Sequence, residues 1–234
     1  MVHVGLSGFS YRPWQGEGRF YPKELKAKDF LRFYSERYDA VEMDGTWYRM
    51  PTEAGVTGWK EATPTQFTFC CKVHRDISHM RRLKPEAQES LKFMQGRLKP
   101  LADVDKLGPF LVQLPPNMKR NDERLAEFLA ASPMEFRYAL EFRHESWNAP
   151  EVEAILGQYN AAWVAAQTDE AEAQKRDTAD FAYARLRKSE YDRGEPADWA
   201  AYFRSLGKPT YVFLKHEDEG SPWLFADELL RHLR

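Results

Sequence analysis

Eight short runs of apolar residues, rich in β-branched and aromatic types, recur along the chain at 2–6, 40–43, 67–73, 110–114, 138–142, 163–166, 181–186 and 211–214. Runs of this length and composition form buried strands. Between most of them apolar residues fall at helical spacing. Examples are Phe30, Leu31, Phe33 and Tyr34; Leu91, Phe93, Met94 and Leu98; Leu125, Phe128 and Leu129; and Val152, Ile155, Leu156 and Tyr159. Trp199, Tyr202, Phe203 and Leu206 mark a fifth, and Phe225, Leu229, Leu230 and Leu233 close the chain. Strands alternating with helices pair in parallel through crossovers. Eight strands with a final helix predict an α/β, eight-stranded parallel (β/α)8 TIM-type barrel, although the alternation by itself also fits an open doubly wound sheet.

Helix starts are punctuated as the physics of a first turn requires. Thr52 follows Pro51 and precedes Glu53, Asn121 precedes Asp122 and Glu123, and Ser221 precedes Pro222. Such residues satisfy or tolerate the unpaired N–H groups there. Residues 169–180 are charged and lack an apolar stripe, which predicts a loop or a short, irregular sixth helix. No Pro-, Gly- or Ser-rich linker and no array repeat interrupts the pattern, so residues 1–234 read as one barrel domain.

Charge and cysteine content narrow the partners. A formal net charge of −2 gives no global pull toward nucleic acid or anionic lipid, so any basic surface is local. The only cysteines, Cys70 and Cys71, are adjacent in an apolar run. That placement suits buried thiols in a reducing compartment better than a disulfide or a metal pair. No run approaches the ~20 apolar residues of a membrane span, and the N-terminus enters a strand without a signal-peptide pattern. A cytoplasmic protein without a membrane partner is expected.

Barrel strands are buried on both faces, so a charge ending such a strand is costly unless it is paired or faces the mouth. Glu42 and Asp44 end the second run, Lys72 and His74 the third, Glu141 and Arg143 the fifth, Gln167 and Asp169 the sixth, and Lys215 and His216 the eighth; Gln113 stands in the fourth run and Arg185 and Arg187 in and just after the seventh. Residues two apart share a face, and barrel enzymes place their chemistry at this end of the strands. Glu42 and Glu141 are candidate acid/base groups if burial raises them, whereas neighbouring cations would lower them. Lys72, in an apolar strand, is a candidate general base or Schiff-base amine, or else an ion-pair partner for Glu42 or Glu141. Arg143, Arg185 and Arg187 suit bidentate binding of a phosphate or carboxylate, with Lys215, Gln113 and Asp44 as further polar contacts.

Two loops add to this set. Tyr11 and Trp14, in an aromatic segment running on to Phe20 and Tyr21, offer faces for stacking on a sugar or base; so does Trp47. The same aromatics read equally as a small satellite core. Residues 75–84 carry Arg75, His79, Arg81, Arg82 and Lys84, a basic patch that hints at phosphate or nucleic acid. No Gly-rich nucleotide-cofactor motif is present. A divalent metal has only scattered ligand types in its favour (His74, His144, His216, Glu42, Asp44, Glu141 and Asp169), without a metal-site spacing. The cofactor therefore stays unknown, with no metal ligands assigned.

Several segments resemble the YecE-like family, domain of unknown function 72. They are Gly5-Leu6-Ser7-Gly8-Phe9-Ser10-Tyr11-Arg12-Pro13-Trp14, Val41-Glu42-Met43-Asp44-Gly45-Thr46-Trp47-Tyr48-Arg49, Phe67 to Val73, Leu107 to Pro116, and Ala139 to Trp147. They fall in the family's order over essentially the whole chain. The resemblance implies a (β/α)8 barrel and points to Glu42, Lys72, Gln113, Glu141 and Arg143, but implies no activity. The chain departs from the family at Asp44-Gly45, where Asn-Ser is usual, at Trp47, and at Lys215-His216-Glu217-Asp218.

Three functions follow. The first is an enzyme acting on a small anionic or sugar-like metabolite, with Glu42, Lys72 and Glu141 catalytic and Tyr11, Trp14, Asp44, Gln113, Arg143, Arg185 and Lys215 binding. The second is a barrel that binds nucleic acid or cleaves phosphodiesters with metal assistance. The third is a non-enzymatic ligand- or protein-binding module, in which the mouth charges pair with one another. Oligomeric state is not legible.

Overall fold

The computed structural model describes residues 1–215 and 221–234; His216, Glu217 and Asp218 lie outside the described residues. Eight strands are present: β1 Val2–Ser7, β2 Ala40–Met43, β3 Thr68–Cys71, β4 Phe110–Gln113, β5 Tyr138–Glu141, β6 Ala162–Gln167, β7 Ala182–Leu186 and β8 Thr210–Leu214. Their order is β3-β2-β1-β8-β7-β6-β5-β4, and the paired strands run parallel. The ends of that order, β3 and β4, meet through isolated bridges from Phe69 to Leu107 and from Lys72 to Leu111. The sheet therefore closes into the expected barrel rather than an open doubly wound sheet.

The seam between β3 and β4 has a physical cause in the sequence. Two residues lie between the successive bridge positions on the β3 side and three on the β4 side, so one extra residue interrupts the ladder. Gly108-Pro109 occupies the longer side. Proline has no N–H to give, and a Cβ on Gly108 would stand 2.7 Å from both Cys70 Sγ and Thr68 Cγ2. Backbone bonds from Phe69 N to Lys106 O, Gly108 N to Phe69 O and Val73 N to Leu111 O hold the seam at 2.7, 2.9 and 2.9 Å.

Seven α-helices are present among the described residues: α1 Phe30–Ser35, α2 Glu53–Glu61, α3 Ala87–Ala102, α4 Asp122–Ala131, α5 Pro150–Gln158, α6 Glu195–Ser205 and α7 Pro222–Leu233. Thr52 Oγ1 accepts the Gly55 N–H to cap α2, and Asn121 Oδ1 accepts the Arg124 N–H to cap α4. No helix stands between β6 and β7. The charged segment there is a loop, anchored by cations on aromatic faces: the Arg176 guanidinium lies 4.3 Å from the Trp163 ring centre, and Lys175 Nζ lies 4.3 and 4.5 Å from those of Trp199 and Tyr202. Arg176 also pairs with Glu153.

Alternation along each strand splits the core in two. Outward residues such as Val41, Phe69, Val112, Leu140, Ala184 and Val212 pack under the helices. Inward residues fill the lower barrel, where Ala40, Cys70, Ala139 and Ala162 make room for Phe181, Tyr183, Tyr211 and Phe213. Above this apolar storey the inward positions turn polar, and that change of storey positions the site.

Candidate functional site

The next inward residues up the strands are Ser7, Glu42, Gln113, Glu141 and Arg185, all buried. Arg185 bridges the two carboxylates: Nη2 donates to Glu42 Oε1 at 2.8 Å and Nη1 to Glu141 Oε2 at 2.6 Å. Glu42 also accepts from Ser7 Oγ at 2.6 Å and from Tyr183 OH at 2.7 Å. Glu141 Oε1 accepts from Gln113 Nε2 at 2.7 Å and from Arg143 Nε at 3.2 Å. Removing either partner would strand a charge away from water, so the layer holds only as a set.

Proton affinities follow from this pairing. Burial pushes both carboxyls up, but the charge of Arg185 and the hydrogen bonds around each outweigh it. Glu42 is held below its ordinary value, and Glu141, with Arg143 adding to Arg185, falls to about 2. Of the two opposing effects weighed for these residues, the cations win, and both are ionised at neutral pH. Lys72 moves the other way: burial and then the Arg185 charge push it down to about 8.

Lys72 does not form the ion pair that its strand neighbours suggested. Its Nζ donates to the Gln113 amide oxygen at 2.8 Å and lies 5.0 Å from the Trp47 ring centre, and among the described residues no carboxylate is in ion-pair reach. Glu42 and Glu141 are already matched by Arg185 and Arg143, so among the described residues Lys72 is a positive charge without a carboxylate partner. On the rim, Tyr11 OH donates to Asp44 Oδ2 at 2.8 Å, and Lys215 Nζ stands 3.9 Å from the same oxygen. Burial and then Asp44 hold the Tyr11 phenol above its ordinary range. Burial pushes Lys215 down despite Asp44, with Arg187 adding to the effect. Beside this layer a cavity of about 730 Å³ opens toward β5–β7, with Glu141, Arg143, Trp163, Asp169, Arg187 and Ser189 among its walls. Lys72 is not one of these walls; it stands beyond the Gln113–Glu141 pair, on the β3–β4 side.

The fold thus gathers Tyr11, Glu42, Asp44, Lys72, Gln113, Glu141, Arg143, Arg185 and Lys215 at one end of the barrel. Trp14 is a correction: it is 4% exposed, packed edge-on against Trp223 and Phe20, and presents no face to a ligand. Phe20 and Tyr21 share the same core with it, the one that packs under the helices rather than a separate satellite. Gln167 faces outward, donating to Glu172 at 3.0 Å. His74 and His144 accept N–H groups of their own turns, from Asp76 and Ser146. Among the described residues no group of three or more His, Cys, Asp or Glu side chains comes together to hold a metal ion. In the basic loop Arg81 pairs with Asp76 and Arg82 bonds Asn117. His79 instead reaches the rim, 3.4 Å from Trp47 Nε1. Ser7 and Tyr183 escaped the sequence reading because neither carries a charge to betray its place.

Residues 3–234 match the model of the family described as protein of unknown function DUF72. The UPF0759 protein YecE of Escherichia coli strain K12 is 31% identical over 150 residues, covering 64% of this chain and 51% of that protein. The UPF0759 protein YunF of Bacillus subtilis strain 168 is 26% identical over 155 residues, covering 64% and 53%. The chain spans about half the length of these relatives. A solved DUF72 family protein from Thermotoga maritima superposes with a TM-score of 0.86 at 25% identity, covering 100% of this chain and 99% of that one. Another from Enterococcus faecalis V583 gives 0.78 at 20% identity, covering 100% and 97%, a likeness of fold. No described helix is long and apolar enough to cross a membrane.

Proposed function

The chain belongs to the DUF72 family of proteins of unknown function, and from that premise we propose that its barrel mouth binds and turns over a small anionic or sugar-like metabolite. The observation that carries this reading is a cation in excess of two matched carboxylates: Lys72 has a neutral amide as its hydrogen-bond acceptor, and Arg143, paired with Glu141 through Nε, also walls the adjacent cavity. An anion entering near Lys72 relieves its repulsion from Arg185 and Arg143. Within this reading Arg143 binds, Lys72 exchanges protons, and Glu42 and Glu141 act by holding Arg185 and Gln113 in place. One barrel domain in a reducing cytoplasm accommodates the two buried thiols.

The test is a melting-temperature screen against inorganic phosphate, small carboxylates, sugar phosphates and short oligonucleotides. A ligand at about 100 times its Kd adds about 2.7 kcal/mol, which is roughly 5–10 °C for a chain of this size. The expected result is a shift from one class of small anion that Arg143→Met abolishes. A shift that Arg143→Met leaves intact moves the site elsewhere. Shifts from oligonucleotides alone, erased by salt, replace this reading with nucleic-acid binding.

A further inference from the structure

Lys72 is set up as more than a counter-ion, and the reason is the orientation of Gln113. An ionised carboxylate only accepts hydrogen bonds, so Glu141 fixes the Gln113 amide with its NH₂ toward Oε1, at 2.7 Å. The carbonyl oxygen is thereby turned onto Lys72 Nζ, at 2.8 Å. A neutral acceptor holds one N–H of the amine while stabilising its charge less than a carboxylate would. Trp47 covers one side of Nζ at 5.0 Å. The groups that act on Lys72 electrostatically are Glu42 on β2, Glu141 and Arg143 at the end of β5, and Arg185 on β7; His79, on the loop after β3, is in turn lowered by burial and by Lys72. In this constellation the cations offset the carboxylates, and burial then favours the neutral amine. A positioned, desolvated amine whose lone pair is not spent on the protein is a nucleophile for carbonyl carbon.

Resting on the anion-binding reading of the mouth, we propose that Lys72 forms an imine with a small anionic aldehyde or ketone. The amine lone pair adds to the carbonyl carbon as the C–O π pair moves onto oxygen, giving a carbinolamine. That oxygen leaves as water when the C–N double bond forms. Overall the lysine ammonium and the carbonyl yield a protonated imine and one water. Two ammonium protons depart in the water and one stays on nitrogen, with no oxidation or reduction.

Glyoxylate and pyruvate serve as probes, each with and without cyanoborohydride. Peptide mapping locates any reduced adduct, and melting temperature without reductant reports binding. The expected result is a melting shift together with one dominant adduct on the peptide containing Lys72. That adduct is lost in Lys72→Met and retained in Lys119→Arg, an exposed lysine elsewhere. Its rate of formation rises with pH and levels off above about 8. A melting shift with no adduct at Lys72 overturns the imine and leaves the anion site standing. Adducts spread over surface lysines and unchanged in Lys72→Met overturn it too. Neither shift nor adduct removes both readings.

Discussion

Glu141 shares its two oxygens among Arg185, Arg143 and Gln113, so the cost of removing its charge falls on three neighbours at once. Glu141→Gln leaves Arg185 buried with half its counter-charge, and breaking a buried pair of this kind costs about 3–5 kcal/mol, readable by urea unfolding at neutral pH. The pH dependence has a definite sign. The carboxyl lies at about 2 in the folded chain against an ordinary 4.5, so its contribution is complete above 4.5 and is lost as pH falls toward 2. The stability gap between wild type and Glu141→Gln therefore narrows across that window and is flat above it. At this scale the sequence was informative wherever a charge ended a buried run, because such a charge needs a partner or a purpose. It was silent on Ser7 and Tyr183, whose hydroxyls complete Glu42, and misleading on Trp14, since an aromatic that stacks on a ligand and one that fills a core read alike.

At the scale of elements, burial on both faces made the strands legible: each observed strand overlaps its apolar run, with ends differing by no more than two residues. The side-chain caps of α2 and α4 were legible for the same local reason, a short polar side chain placed before a periodic segment. The loop between β6 and β7 was legible only as one of two alternatives, because what fixes it is tertiary: Arg176 and Lys175 reach aromatic rings on β6 and α6. The seam was not legible, since nothing in Gly108-Pro109 itself marks where β3 and β4 meet. It is tightly fitted all the same. Gly108→Ala drives a methyl to 2.7 Å from Cys70 Sγ and Thr68 Cγ2, and overpacking of this kind costs about 1–3 kcal/mol. A lowered melting temperature is expected, and an unchanged one would show that the seam has room to spread.

Across the whole molecule the barrel interior is divided between an apolar storey and a charged one, and the net charge of −2 gives no sign of that division. Cys70 faces the apolar storey and Cys71 packs beneath the helices. Both are fully buried, and burial pushes both thiols up. Neither is expected to react with a disulfide reagent at neutral pH except through unfolding, so labelling tracks the fraction unfolded; labelling faster than global opening would reveal a local breach of the barrel. The seam gives the molecule one more property. Seven joints of the ring are continuous ladders of strand against strand, and the eighth is a clasp with isolated bridges. A ring adjusts its girth most cheaply at its clasp. Lys72 is itself a bridge residue there, and its hydrogen bond to Gln113 spans the join, while Glu42, Glu141 and Arg185 sit on the continuous ladders. The amine of Lys72 thus sits on the joint where the ring is held least continuously.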